Sequence, residues 1–186
     1  MPTPSRTSLE EIVAAGKRVL ESEGIEGLTM EGVARIAGVK APSLYKHVAS
    51  RGELVRLIVE SVAADLGRAL DSSVTGADPL EDVKALAQRF RAFAHDQPES
   101  YRMLFAPMPE EWRPASGVFA AASEPVLRTT AALAGPDRAL EAARLLTAWA
   151  HGFMTMELAG AFRMEGDLDE AFAFGLDRIG HALAAD

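Results

Sequence analysis

Apolar residues along this chain recur at spacings of three and four and do not alternate, and the segments that carry them are rich in Ala and Leu. That periodicity predicts α-helices throughout, with no strand. The first helix opens on Ser8-Leu9-Glu10-Glu11, a capping box in which the serine hydroxyl and the Glu11 carboxylate each satisfy a backbone N–H. Leu9, Ile12, Val13, Gly16, Val19 and Leu20 form its inward stripe, and Gly24 closes it. Thr29 is placed to cap a second helix of about two turns, with Met30, Val33, Ala34 and Ala37 inward and Gly38 supplying the positive φ that ends it. A third helix starts at Lys40-Ala41-Pro42-Ser43, where proline suits a first turn, and buries Leu44 and Val48. Ser50-Arg51-Gly52-Glu53 is a further capping box and launches a longer helix that fades between Asp71 and Gly76.

Beyond it, Asp78-Pro79-Leu80-Glu81 starts a helix carrying Val83, Leu86, Phe90 and Phe93, and Gln97-Pro98 ends it. A short helix runs from Glu99 to Phe105. Three prolines make a loop of the next stretch, and a helix over about 115–134 is expected to kink or break at Pro125. The proline-free segment Asp137 to Met164 reads as the longest helix, and Asp167-Leu168-Asp169-Glu170 caps the last. About nine helices result. The expected division is a helix-turn-helix domain over 1–50, with a short flexible N-terminal tail, and a helical body over 51–186.

At 186 residues, with 48% hydrophobic and 25% charged residues, the chain has the composition of a globular protein able to bury a core. It has no cysteine, which excludes disulfides and thiolate chemistry. The segment Met1 to Ser8 has neither the apolar core of a signal peptide nor an anchor, and no run reaches membrane-spanning length, so the expected location is the cytoplasm. A net charge of −8 argues against a polyanionic partner until it is resolved by segment. Residues 1–56 hold eight basic against seven acidic side chains, and Arg35 to Arg56 alone hold five basic against one acidic. The basic charge is local.

Two short helices joined by Ala37-Gly38-Val39 form a helix-turn-helix, whose second helix enters a DNA major groove. Lys40, Ser43, Tyr45, Lys46 and His47 surround Leu44 and Val48, so the outward face offers cations and hydrogen-bond donors. The stretch Leu28-Thr29-Met30-Glu31-Gly32-Val33-Ala34-Arg35-Ile36-Ala37-Gly38-Val39, with Ser43-Leu44-Tyr45-Lys46-His47-Val48 and Arg51-Gly52-Glu53-Leu54, resembles the DNA-binding headpiece of the TetR family of bacterial repressors. Trp149, His151 and Gly152 lie in a stretch similar to the WHG-type C-terminal domain of part of that family. The resemblance implies that Thr29 and Tyr45 contact phosphates through hydroxyls and that His47 and Arg51 grip the backbone. It places Lys40, Ala41, Pro42, Ser43 and Lys46 nearest the bases. Phosphate contacts set register and most of the salt-dependent affinity, and base contacts specify sequence. Lys46 suits either role.

Two apolar stripes run along the helix from Asp137 to Met164: Leu145, Ala148, Trp149, Gly152, Phe153 and Met156, and then Leu146, Ala150, Met154, Leu158 and Ala161. One helix cannot turn both toward its own core. The second stripe, with Phe174 of the last helix, is assigned to a four-helix homodimer interface, as the resemblance also implies. Dimerisation fits the reading of two half-sites of a palindromic double-stranded DNA operator. Phe90, Phe93, Met103, Phe105, Trp112, Phe119, Phe153 and Met156 are candidates to line a pocket for a small apolar effector, against the plainer alternative that they are core.

His151, His95 and Glu157 are the residues from which a metal or acid–base site would be built, but no spacing recommends a metal, and no cofactor is expected. The sequence holds no G-x-S-x-G, H-E-x-x-H, P-loop or G-x-G-x-x-G, so an enzyme is disfavoured and no catalytic residue is named. A second reading stays open: a ligand-binding or scaffold protein whose helix-turn-helix engages no DNA.

Overall fold

The computed structural model describes residues 7–184, and the tail expected at the N-terminus lies mostly outside them. Among the described residues there are nine α-helices and no strand: α1 (Leu9–Gly27), α2 (Met30–Ala37), α3 (Ala41–Leu44), α4 (Arg51–Asp71), α5 (Pro79–Asp96), α6 (Pro98–Phe105), α7 (Val118–Ala134), α8 (Ala139–Leu158) and α9 (Leu168–Ala184). None is long and apolar enough to cross a membrane.

The chain condenses into two compact units. The first comprises residues up to Ala64 together with Gln97–Phe119; the second comprises Asp65–Asp96 and Ala120 onward. A division at residue 50 therefore misses how the 97–119 segment is held. The Glu21 carboxylate of α1 accepts from the N–H groups of Glu99 and Ser100 at 3.2 and 2.8 Å, capping α6 from a helix far away in sequence. Gln97, the residue in the cap position, makes no side-chain cap.

Local chemistry sets the elements of the first unit. Ser8 Oγ accepts from Glu11 N–H at 3.2 Å while Ser8 N–H donates to the Glu11 carboxylate at 3.0 Å. Gly24, at φ 67°, breaks the helical path near the end of α1. Thr29 Oγ1 accepts from Gly32 N–H at 3.0 Å to start α2, and Gly38, at φ 71°, stops it. Leu44 and Val48 are fully buried, as are Ile12, Val19, Leu20, Val33, Leu54 and Ile58. Each such side chain contributes about 1.5–3 kcal/mol of burial.

Three expectations change. The segment after Val39 is regularly helical only over Ala41–Leu44 and finishes as a turn, with i→i+3 bonds at both ends, Ser43 N–H to Lys40 O and His47 N–H to Leu44 O. α7 runs through Pro125 unbroken, because the ring is buried and its packing offsets the missing N–H. α8 ends at Leu158, six residues before Met164: Ala161 N–H returns to Met156 O at 2.8 Å and Gly160 takes φ 60°.

The second unit is organised around Val83 and Ala87 of α5, Leu146 of α8, and Phe172 and Leu176 of α9, with Trp149 and Phe153 against them. The Trp149 ring stacks on Phe172 at 5.0 Å. Gly175 admits that ring, since a Cβ there would stand 2.5 Å from Trp149 Cζ2.

Candidate nucleic-acid interface

Leu44 and Val48 fix the recognition segment from below, and the side chains between and around them turn outward. Lys40, Pro42, Tyr45, Lys46 and His47 are exposed, Tyr45 by 54%; Ala41 and Ser43 are half-buried. Exposure of this kind on a rigidly seated tyrosine is the opposite of a core role. Thr29 is exposed at the head of α2 with its hydroxyl oxygen engaged in the cap, leaving the O–H free to donate.

The basic cluster divides into committed and available members. Arg35 pairs with Glu23 at 2.6 Å, and Arg56 pairs with Glu60 at 2.9 Å and with Glu53 at 3.5 Å. Lys40 and Lys46 have no ion pair among the described residues. They are the two cations that a polyanion meets without first breaking an internal contact.

Arg51 leaves the set of expected backbone contacts. Its Nε donates to Leu28 O at 2.6 Å and its Nη2 to Ile25 O at 2.9 Å, and the guanidinium lies over the Trp112 ring at 5.4 Å. Those carbonyls lie at the end of α1, where Ile25 O also takes the Leu28 N–H at 3.3 Å, and Arg51 adds a donor to each. It seats the headpiece and does not reach outward. The same contact seats the Trp112 ring, an effector candidate, against the Arg51 guanidinium.

The other effector candidates also scatter. Phe90, Phe93 and Met103 are buried core; Phe105, Phe119 and Met156 are exposed; Phe153 sits in an aromatic cluster with Trp149, Phe162 and Phe172. Met103, Phe105, Trp112 and Phe119 belong to the first unit, and Phe90, Phe93, Phe153 and Met156 to the second. The two stripes of α8 do not divide as expected, since Trp149 and Phe153 of the first also pack against the core of the second unit. Leu146, Ala150 and Met154 are buried within the chain and Leu158 is half-buried, whereas Leu145, Ala148, Gly152 and Met156 are exposed. Ala161 lies beyond the helix, and Phe174 stands 68% exposed on α9. Leu146 of one stripe and Trp149 and Phe153 of the other meet the Val83 and Leu176 core, a division periodicity cannot make.

One arrangement escaped the sequence reading. The Glu157 carboxylate accepts from Arg91 Nε at 2.9 Å and Nη2, and from His95 Nε2 at 3.1 Å; Arg91 Nη1 reaches Asp169 at 2.7 Å. Glu157, its side chain 8% exposed, is held below the usual carboxylate range, first by the hydrogen bonds from Arg91. Arg91, paired twice, is held above its ordinary value by the same bonds. His95 and Glu157 thus meet each other, with an arginine as the third member in place of a metal. Among the described residues no three His, Cys, Asp or Glu side chains are grouped to hold an ion. The four-residue spacing of Arg91 and His95 on α5 was the available signal.

A buried-anchor helix-turn-helix carrying an outward polar face defines a helix-turn-helix regulator. The family described as bacterial regulatory proteins, tetR family, matches residues 12–58, and the tetracyclin repressor-like C-terminal domain matches 83–179. An HTH-type transcriptional regulator of Mycobacterium tuberculosis, Rv0681, is 32% identical over 162 residues, covering 84% of this chain and 73% of that protein. The chain belongs to the TetR family, a family of transcriptional regulators and not of enzymes. Its fold is shared by a protein of unknown function from Rhodococcus sp. RHA1, with TM-score 0.80, 24% identity and coverage of 98% of this chain and 100% of that one. It is also shared by a TetR variant from Acinetobacter baumannii AYE in complex with minocycline, with TM-score 0.67, 24% identity and coverage of 94% and 95%.

Proposed function

We propose that this protein is a cytoplasmic repressor that binds a palindromic operator as a homodimer and is released by a small molecule with an apolar body, held by the helical body of the chain. The observation that carries the DNA half is the seating of the α3 segment: Leu44 and Val48 fully buried, Tyr45, Lys46 and His47 exposed, and Lys40 and Lys46 without ion pairs among the described residues. Tyr45 and Thr29 offer hydroxyls to phosphates, Lys40 and Lys46 offer charge, and Pro42 and Ser43 lie at the leading edge of the segment. The dimer face consists of Leu145, Ala148, Gly152 and Met156 of α8 together with Phe174 of α9, because these carry the exposed apolar surface that a second copy would cover. Release follows from preferential binding of the effector to the DNA-incompetent state.

The test is retardation of DNA adjoining the protein's own gene. Wild type is expected to shift it at low salt, and Tyr45→Ala and Lys46→Ala to weaken the shift at unchanged dimer mass and helicity. With Lys46 on a phosphate, its removal lowers the salt slope by about 1 and weakens all sequences alike. With Lys46 on a base, preference relaxes at one position. Failure to retard this DNA and random DNA alike overturns the reading in favour of a scaffold.

A further inference from the structure

The second unit holds an open cleft of about 420 Å³ lined by Gln88, Arg91, Ala92, His95, Glu157, Asp169 and Phe172, a volume suited to a small molecule. Its polar groups are unevenly satisfied. Arg91 spends its Nε and Nη2 edge on Glu157 and its Nη1 on Asp169. His95 Nε2 donates to the Glu157 carboxylate, which only accepts, at 3.1 Å. Asp169, 82% exposed, has one oxygen on Arg91 and the other without a partner among the described residues. The Gln88 amide likewise has none.

Arg91 has committed its Nε, Nη2 and Nη1 to the two carboxylates, and the positions left at the mouth are the second Asp169 oxygen and the Gln88 amide. A ligand carboxylate would have to displace Asp169 from Arg91, whereas a cation meets the second Asp169 oxygen directly. Ala92 and Phe172 supply apolar lining. We infer that this cleft binds a small organic cation, an ammonium or amidinium on an apolar body, with Asp169 as its ion-pair partner and the Gln88 amide oxygen as its hydrogen-bond acceptor. This assigns a place and a charge to the effector, and so rests on that half of the proposed function; the assay omits DNA, so its failure and the failure of DNA binding are separate results. Asp169 lies in the first turn of α9 and Phe174 five residues on, so the ligand contacts the helix that carries part of the proposed dimer face.

The experiment is calorimetric titration of the full chain with phenethylammonium, its neutral counterpart 2-phenylethanol and the anion 3-phenylpropionate. The ammonium is expected to bind saturably and one to one, with the other two at least tenfold weaker. Asp169→Asn is expected to weaken the ammonium about tenfold or more, the loss for a hydrogen bond to a charged group. Glu170→Gln, the same charge change one residue along on an exposed position, is expected to leave binding unaltered. No saturable binding of the ammonium, anion binding as tight as the cation's, or equal losses in the two variants would each overturn the proposal.

Discussion

Around α3, Lys40 and Lys46 stand exposed without an ion pair among the described residues, whereas on α5 Arg91 puts three of its nitrogens on two carboxylates and its plane over Phe172 at 5.0 Å. The two regions use positive charge for opposite ends. An unpaired cation on a buried scaffold loses little when a polyanion arrives, since no internal contact has to break. A saturated arginine fixes its neighbours, and what it leaves exposed is the unfilled edge of its partners. Arg51 follows the second pattern although it lies in the headpiece motif, because the carbonyls ending α1 claim it.

This contrast can be broken at several strengths. Leu44→Ala removes the anchor under the recognition segment and is expected to cost about 3–4 kcal/mol in urea unfolding, with loss of DNA retardation. Glu157→Gln leaves the Arg91 charge without its two-pronged partner and is expected to cost about 3 kcal/mol, read by the same unfolding curve. Gly175→Ala drives a methyl into the rigid Trp149 ring, with an expected loss of about 2 kcal/mol and altered tryptophan fluorescence. Lys46→Ala sharpens the contrast from the other side: stability should stay within about 0.5 kcal/mol of wild type while DNA affinity falls.

Acid provides a further separation. Because the Glu157 carboxyl is depressed in the folded state, its contribution is complete above the ordinary glutamate value, about pH 4.3, and is lost as pH falls toward the folded value. Unfolding curves taken at falling pH are expected to steepen in their acid dependence for wild type relative to Glu157→Gln. No loss of that dependence in the variant would remove Glu157 from the account.

Much of the headpiece was readable along the chain. Ser8 with Glu11, Thr29 with Gly32, and Gly38 act within three or four residues, so the groups that satisfy one another are visible side by side. The helix-turn-helix and the outward set around Tyr45 follow from such local cues and from the 3.6-residue repeat. The body was less legible. Gly160 is a helix stop that the apolar run obscured, and Arg91 lies 66 residues from Glu157.

What the amino-acid order determined alone is the all-helical class, the caps, the outward polar segment after Val39 and its two buried anchors, because hydrogen bonds between near neighbours and apolar periodicity need no knowledge of the rest of the chain. Periodicity says that a helix has apolar faces, but it does not name the partner of each. Tertiary packing alone decided that Leu146, Ala150 and Met154 turn inward while Leu145 and Met156 stay outside, that Arg51 closes the end of α1, and that α5, α8 and α9 bring Arg91, Glu157 and Asp169 to one cleft. The physical reason is that a side chain's role depends on which distant surface fills the space against it.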